Sequence, residues 1–224
     1  MDPKIPVQSY VESFLAHEEY LTPTTLCAIM TSCGSDKGDI RHNYTTLYSK
    51  LFSQWKEKDI NLFELGLGTN NLDVPSNMGS EGKPGASLYG WSIYFPKAHI
   101  YGADIDKRVL FNDQNIKTYY CDQLDENSIK ELFEHPDLKD LQFDIIIEDG
   151  LHQFEANLIF LWNSIAKLKK GGIYIVEDLN ELRRESFKMI LPHLQSMLSL
   201  SYINIVTIPS PFNQSDNTLL VIQK

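Results

Sequence analysis

Apolar residues change their spacing near residue 58. Upstream the spacing is helical. Val11, Phe14 and Leu15 suit one apolar face, and Leu26, Ile29 and Met30 suit another. The stretch "CGSDKGDIRHN" that follows is rich in Gly, Ser and Asp and predicts a loop. Helical spacing then returns with Tyr44, Leu47, Tyr48, Leu51, Phe52 and Trp55. Downstream of Lys58 the pattern becomes short apolar runs. They span 60–68, 98–105, 116–122, 143–150, 171–179, 202–208 and 218–223. Between them, 86–95, 126–135, 154–170 and 185–200 read as helices. The helix over 154–170 is expected to stop at Lys169-Lys170-Gly171-Gly172, basic residues followed by glycine. In the helix over 185–200, Pro192 predicts a kink or a break.

Strands alternating with helices predict a mostly parallel sheet covered on both faces. The last two runs are joined by "PSPFNQSDN", too short for a helical crossover, so they should be antiparallel neighbours. The expected fold class is α/β, a mostly parallel seven-stranded sheet with an antiparallel last strand. Residues 1–58 form a short helical N-terminal extension and lid, and 59–224 the main domain. In open α/β sheets, ligands bind outside the carboxyl ends of the strands. Here five successive runs end in acids: Glu64, Asp104, Asp122, the pair Glu148–Asp149, and the pair Glu177–Asp178.

Charge narrows the partners. A net charge of −10 with dispersed acids disfavours nucleic acid, whose binding needs Lys and Arg on phosphates. Small molecules are the better default. Cys27, Cys33 and Cys121 have neither metal nor disulfide spacing, which suits a reducing cytoplasm. No signal peptide is read in "MDPKIPVQSYVESF", and no run reaches membrane-span length, so no membrane partner is expected.

The glycines after the first run, Gly66 and Gly68, allow close approach to a ligand. A dinucleotide site would add a third glycine at position 71 and begin a helix at once. Position 71 is Asn, and a long loop follows, with Lys83 the nearest basic side chain. A pyrophosphate is therefore disfavoured. Asp104 is placed to hold ribose hydroxyls, and Asp122 to accept from an adenine amino group. A ribose and an adenine without phosphate describe S-adenosylmethionine (SAM).

Four stretches carry a family resemblance: "GSDKGDIRHNYTTLYSKLF" (34–52), "KPGASLYGWSIYFPKAHIYGADI" (83–105), "CDQLD" (121–125) and "IIIEDGLHQ…GGIYIVEDL" (145–179). In this order and spacing the chain resembles class I SAM-dependent methyltransferases with a Rossmann-like fold. More narrowly, it resembles the metal-dependent sugar O-methyltransferases typified by a macrolide sugar methyltransferase. The large auxiliary N-terminal domain of that enzyme is not expected here. The cofactor-binding positions implied are Lys37, Glu64, Gly66, Ser87, Asp104, Asp122, Gln123 and Glu148. Lys37 would pair with the SAM carboxylate, or else be an ordinary loop residue. Tyr48, Leu51 and Phe52 read chiefly as core, Tyr44 or Tyr48 as pocket lining, and His42 as a weak active-site candidate. The loop over 69–85 is a candidate mobile cover over the cofactor, or else a disordered insert of no functional consequence.

In the fold of that class the fourth and fifth strands are neighbours. Asp149, Glu177 and Asp178 would then meet, and packed carboxylates repel unless a cation joins them. Oxygen donors select Mg²⁺, with Mn²⁺ also fitting. A metal would acidify a sugar hydroxyl. His152, three residues past Asp149, would be the general base, since an ordinary imidazole titrates near ~6.5. The resemblance assigns the same parts, with His152 and Asp149 as the catalytic pair. Glu148 would be a further ligand or a hydrogen-bond acceptor behind the others.

The function expected is a SAM- and Mg²⁺-dependent O-methyltransferase acting on a sugar hydroxyl. The sugar would belong to a glycosylated natural product, a nucleotide-sugar or a polysaccharide precursor. Methylation of a catechol-like diol, a nicotinamide oxidoreductase and a SAM-binding module without chemistry are the alternatives. A second copy of the chain is an open partner alternative.

Overall fold

The computed structural model describes residues 6–224. Helices α1 (Val7–Ala16), α2 (Thr25–Cys33) and α3 (Tyr44–Leu51) precede strand β1 (Asn61–Leu65). Then come α4 (Ala86–Tyr94), β2 (His99–Asp104), β3 (Asn112–Asp113), β4 (Ile116–Tyr120) and α5 (Glu126–Glu134). The chain ends with β5 (Phe143–Glu148), α6 (Phe154–Ser164), β6 (Leu168–Val176), α7 (Glu181–Met197), β7 (Tyr202–Thr207) and β8 (Thr218–Gln223). The strands form one sheet in the order β3-β4-β2-β1-β5-β6-β8-β7. From β4 to β6 all pairings are parallel, and β8 lies antiparallel between β6 and β7. The eighth strand beyond the expected seven is β3, two residues folded back on β4.

Both faces of the sheet are covered, so its central strands are apolar without alternation. Ile145 and Ile147 face a core shared with α1–α4, and Ile146 faces the core under α5–α7. All three are fully buried. The N-terminal helices are thus one cover of the sheet. Of the first expected apolar face, Val11 and Phe14 are buried, but Leu15 points outward and is 38% exposed. Among the described residues no helix is long and apolar enough to cross a membrane.

Two boundaries differ from expectation. The helix expected over 154–170 stops at Ser164, and Lys169–Gly172 belong to β6. Leu168 must be buried opposite Phe143, and a register shift there absorbs the glycines, with Gly171 at φ +78°. The basic-then-glycine pattern marks a bulge in this chain. Helix α7 runs unbroken through Pro192. That residue lies on the exposed side, where solvent can meet a carbonyl deprived of its donor. Asn180 caps the start of α7, its side chain accepting from Arg183 N at 3.1 Å.

Candidate active site

Register assembles the site. Leu65 pairs with Glu148, and Glu148 with Val176. The next residues, Gly66, Asp149 and Glu177, therefore emerge side by side where the strand order reverses between β1 and β5. The ladder continues one step: Asp149 N donates to Leu65 O at 2.8 Å, and Glu177 N to Glu148 O at 2.9 Å. Gly66, at φ +89°, is required here, because a Cβ on it would lie 1.9 Å from the Asp149 carbonyl oxygen.

Asp149, His152 and Asp178 present ligand atoms within 4.8 Å of one another. His152 Nε2 is 3.8 Å from Asp149 Oδ1 and 3.7 Å from Asp178 Oδ2. His152 and Asp178 both adopt left-handed backbone, at φ +54° and +57°. L side chains rarely take that conformation, and it clusters at functional sites. Glu177 turns inward. It receives the Tyr48 hydroxyl at 2.6 Å and the Lys37 ammonium at 2.5 Å. Lys37 also donates to Asp149 Oδ2 at 2.5 Å and lies 3.5 Å from Glu64. The structure thus places Lys37, 2% exposed, among the strand-end acids. Tyr44, one turn before Tyr48 on α3, donates to Asp178 Oδ1 at 2.7 Å. Tyr48 is core, as expected, and its hydroxyl also reaches the acidic cluster.

Burial works to lower the Lys37 pKa, but Asp149, Glu177 and Glu64 outweigh it and hold it well above the ordinary value. Burial pushes Glu177 well above the usual carboxylate range, raises Asp178, and raises Glu64 against the pull of Lys37. At Asp149 burial is overcome by the charges of Lys37 and His152, and its pKa is lowered. One ammonium cannot neutralise this whole group of carboxylates.

Beside the cluster is a cavity of about 170 Å³. Of the expected cofactor positions, Gly66, Asp104, Asp122 and Gln123 line it, together with Asp149. Asp104 is fixed by two backbone donors, Leu67 N at 2.7 Å and Asp106 N at 2.8 Å, and burial raises its pKa. Asp122 accepts from Leu124 N at 2.9 Å. Lys37, Glu64, Ser87 and Glu148 lie behind the wall. Glu64 accepts from Ser87 Oγ at 2.6 Å and Trp91 Nε1 at 2.5 Å. Fully buried Glu148 accepts from Gln123 at 2.7 Å, from Gly150 N at 3.1 Å and from Asn157. It holds the turn that carries Asp149. The loop over 69–85 lines the cavity with Thr69, Val74, Pro75 and Ser76 and is tied to the next strand end by Ser76 Oγ to Leu151 O at 3.0 Å.

Asp106 and Asn213 went unread in the sequence, as did the contacts they make. Asp106 anchors the start of the covering loop through Thr69 at 2.6 Å, Asn71 at 2.7 Å and Arg108 at 2.7 Å. Arg108 holds its carboxyl well below the usual range. The second acid of "ADID" was the available signal. On the other side, His42 packs on Tyr44 at 4.9 Å between ring centroids, with Nδ1 3.4 Å from Asp178 Oδ1. Asn213, from the β7–β8 connection, reaches His42 Nδ1 at 2.9 Å. No local pattern predicts that pairing across 171 residues.

The cluster fits a hard divalent cation. Asp149 and Asp178 offer carboxylate oxygens beside an imidazole, the surplus of carboxylates over Lys37 calls for positive charge, and His152 Nδ1 is buried without a hydrogen-bond partner among the described residues.

No family model matches the chain. It is 30% identical over 184 residues to 8-demethyl-8-alpha-L-rhamnosyl tetracenomycin-C 2'-O-methyltransferase of Streptomyces olivaceus, covering 80% of this chain and 45% of that one. It is 25% identical over 167 residues to mycinamicin VI 2''-O-methyltransferase of Micromonospora griseorubida, covering 68% and 39%. In structure it is similar to MycE, a methyltransferase of the mycinamycin biosynthetic pathway solved in complex with Mg and SAH. The TM-score is 0.68 at 19% identity, covering 90% of this chain and 55% of that one. The fold, with a cavity at the β1/β5 reversal, is that of the class I methyltransferases. Within that class the chain is a homologue of the sugar O-methyltransferases of macrolide and tetracenomycin pathways. It spans less than half the length of these curated relatives.

Proposed function

We propose that this protein is a SAM- and Mg²⁺-dependent O-methyltransferase acting on a sugar hydroxyl of a glycosylated natural product. The observation that carries this is the juxtaposition of Asp149, His152 and Asp178 with a cavity lined by Asp104 and Asp122. Among the described residues the cavity lining contains no Lys or Arg, which favours a phosphate-free nucleoside over a dinucleotide. Asp104, its carboxylate set by two backbone donors, would accept from the ribose hydroxyls of SAM. Gly66 keeps the wall thin beside Asp149.

Asp149 and Asp178 would hold the cation, with Glu177 behind them as the third acid of the set. When bound, the cation lowers the pKa of an acceptor hydroxyl and orients it. His152 Nε2 takes the hydroxyl proton. SAM would supply the methyl group, the acceptor oxygen bonding to it as the sulfur–methyl bond breaks and the electron pair stays on sulfur. Most of the acceleration comes from alignment and proximity. Relatives named for 2'-O-methylation of a rhamnosyl tetracenomycin and 2''-O-methylation of mycinamicin VI support this acceptor class over nucleotide-sugars, polysaccharide precursors or catechols.

The test has two parts. SAM or its demethylated product should raise the melting temperature while NAD does not. Labelled SAM with a panel of glycosides, sugar nucleotides and catechols should mark the glycosides, and no longer do so in EDTA. Labelling that survives EDTA would remove the metal from the reading, and absence of any shift with SAM would end it.

A further inference from the structure

The acidic cluster already contains a cation. Lys37 enters from the loop between α2 and α3 and is buried with its ammonium against Asp149, Glu177 and Glu64. These contacts divide the acidic cluster in two. Glu177, 1% exposed, has Oε2 on Lys37 and Oε1 on the Tyr48 hydroxyl, so both its oxygens are taken. Asp149 gives Oδ2 to Lys37 and turns Oδ1 toward His152, on the side where Asp178 Oδ2 also lies.

We propose that Lys37 is a built-in counter-ion and positioning residue of the metal site. It claims Glu177 and one oxygen of Asp149, and leaves the other oxygen of Asp149 with Asp178, beside His152, as the open donor face. This rests on the metal-dependent reading above. In its absence four carboxylates, Glu64, Asp149, Glu177 and Asp178, would share the strand ends with no internal cation. With it, the donor face is assembled before any metal arrives. A fixed positive charge this close also weakens a divalent cation, so the site exchanges preorganisation for affinity.

The test uses Lys37→Met, which keeps the length and apolar volume of the stem, in the full chain. Two measurements are made: melting temperature in EDTA and at saturating Mn²⁺, and Mn²⁺ binding followed by the EPR signal of the free ion. The variant should melt well below wild type in EDTA, recover most of the loss with Mn²⁺, and bind Mn²⁺ about tenfold more tightly or better. A lysine that only fills space would lose stability equally with and without Mn²⁺, and that result overturns the proposal. So does unchanged Mn²⁺ affinity.

A metal-free arm separates this inference from the metal reading. In EDTA, adding Glu177→Gln to Lys37→Met should restore part of the lost melting temperature, because the unpaired charge is removed with its partner. Additive losses would overturn the counter-ion role even if the cation binds. If wild type fails to bind Mn²⁺ while this rescue holds, the metal reading fails and the counter-ion role stands. If Lys37→Met does not fold in EDTA, refolding it with and without Mn²⁺ gives the same comparison. Folding only with metal supports the proposal, and folding in neither overturns it.

Discussion

Replacing Gly66 with alanine tests whether the near-contact of two strand ends builds the site. The substitution carries two penalties. An L residue at φ +89° costs roughly 1–2 kcal/mol. The new Cβ would also meet the Asp149 carbonyl oxygen at 1.9 Å and its carbonyl carbon at 2.5 Å, backbone atoms that cannot rotate away. Relief requires β1 and β5 to part at their ends, losing the bond from Asp149 N to Leu65 O at about 1 kcal/mol and adding overpacking strain of roughly 1–3 kcal/mol. Gly171→Ala is the control. Its φ is +78° and a Cβ there meets nothing within 4 Å, so only the conformational penalty applies. Urea denaturation should show Gly66→Ala worse than Gly171→Ala by roughly 2–4 kcal/mol, the sum of the lost bond and the strain. At about 2–4 °C per kcal/mol for a chain of this size, the difference is readable by melting temperature. Gly66→Ala should also blunt the shift given by SAM, because Asp149 moves, while Gly171→Ala keeps it. Equal losses in the two variants would refute the idea that this contact sets the position of Asp149.

Four further outcomes are expected. Tyr48→Phe leaves an oxygen of buried Glu177 without its donor and should cost about 1–3 kcal/mol in urea denaturation, less at low pH where Glu177 is protonated. His152→Ala should abolish most methyl transfer, measured with labelled SAM, while the melting shift with SAM survives; retained turnover would remove its role as base. Asp104→Ala should do the reverse first, raising the SAM concentration needed for half-maximal shift by tenfold or more. The pH dependence has a definite sign. Glu64, Glu148, Glu177 and Asp178 all have folded-state pKa values raised above their ordinary values by burial. The folded protein therefore binds more protons than the unfolded chain above about pH 4, and metal-free stability should fall as pH rises through the raised values. Asp149, lowered, works oppositely, contributing stability that is lost as pH falls. Urea midpoints in EDTA from pH 4 to 8 should decline, and Mg²⁺ should flatten the decline; a steady rise would contradict it.

The strand ends were legible because burial on both faces leaves only apolar runs, and each run stops where the chain reaches the sheet's carboxyl edge. That is why the acids that end each run, Asp104, Asp149 and Asp178 among them, could be read from order, while the meeting of Asp149 with Asp178 came from the fold the family resemblance implied. What spacing cannot carry is direction. Glu148 and Asp149 are consecutive, yet one is sealed among Gln123, Gly150 and Asn157 and the other faces the cavity. Glu177 likewise turns inward, to Lys37 and Tyr48, while Asp178 turns toward His152 and Tyr44. Lys37 and Tyr48 reach the cluster across 140 and 129 residues, and that pairing depends on how α3 packs on the sheet. The Lys-Lys-Gly-Gly signal misled because a helix end and a strand bulge use the same residues.

The candidate catalytic groups and the surrounding surface are anchored differently. Asp149, Glu177 and Asp178 continue strands held in the middle of an eight-stranded sheet. The segments around them, 34–43, 69–85 and 208–217, are connections tied by side-chain bonds such as Asn213 to His42, Ser210 to Arg41 O and Ser76 to Leu151 O. Such a layout is modular. On the proposed function, grafting a connection from a relative should redirect which acceptor is taken while the strand-end acids stay where the sheet holds them, so acceptor range can be sought by exchanging loops before those acids are touched.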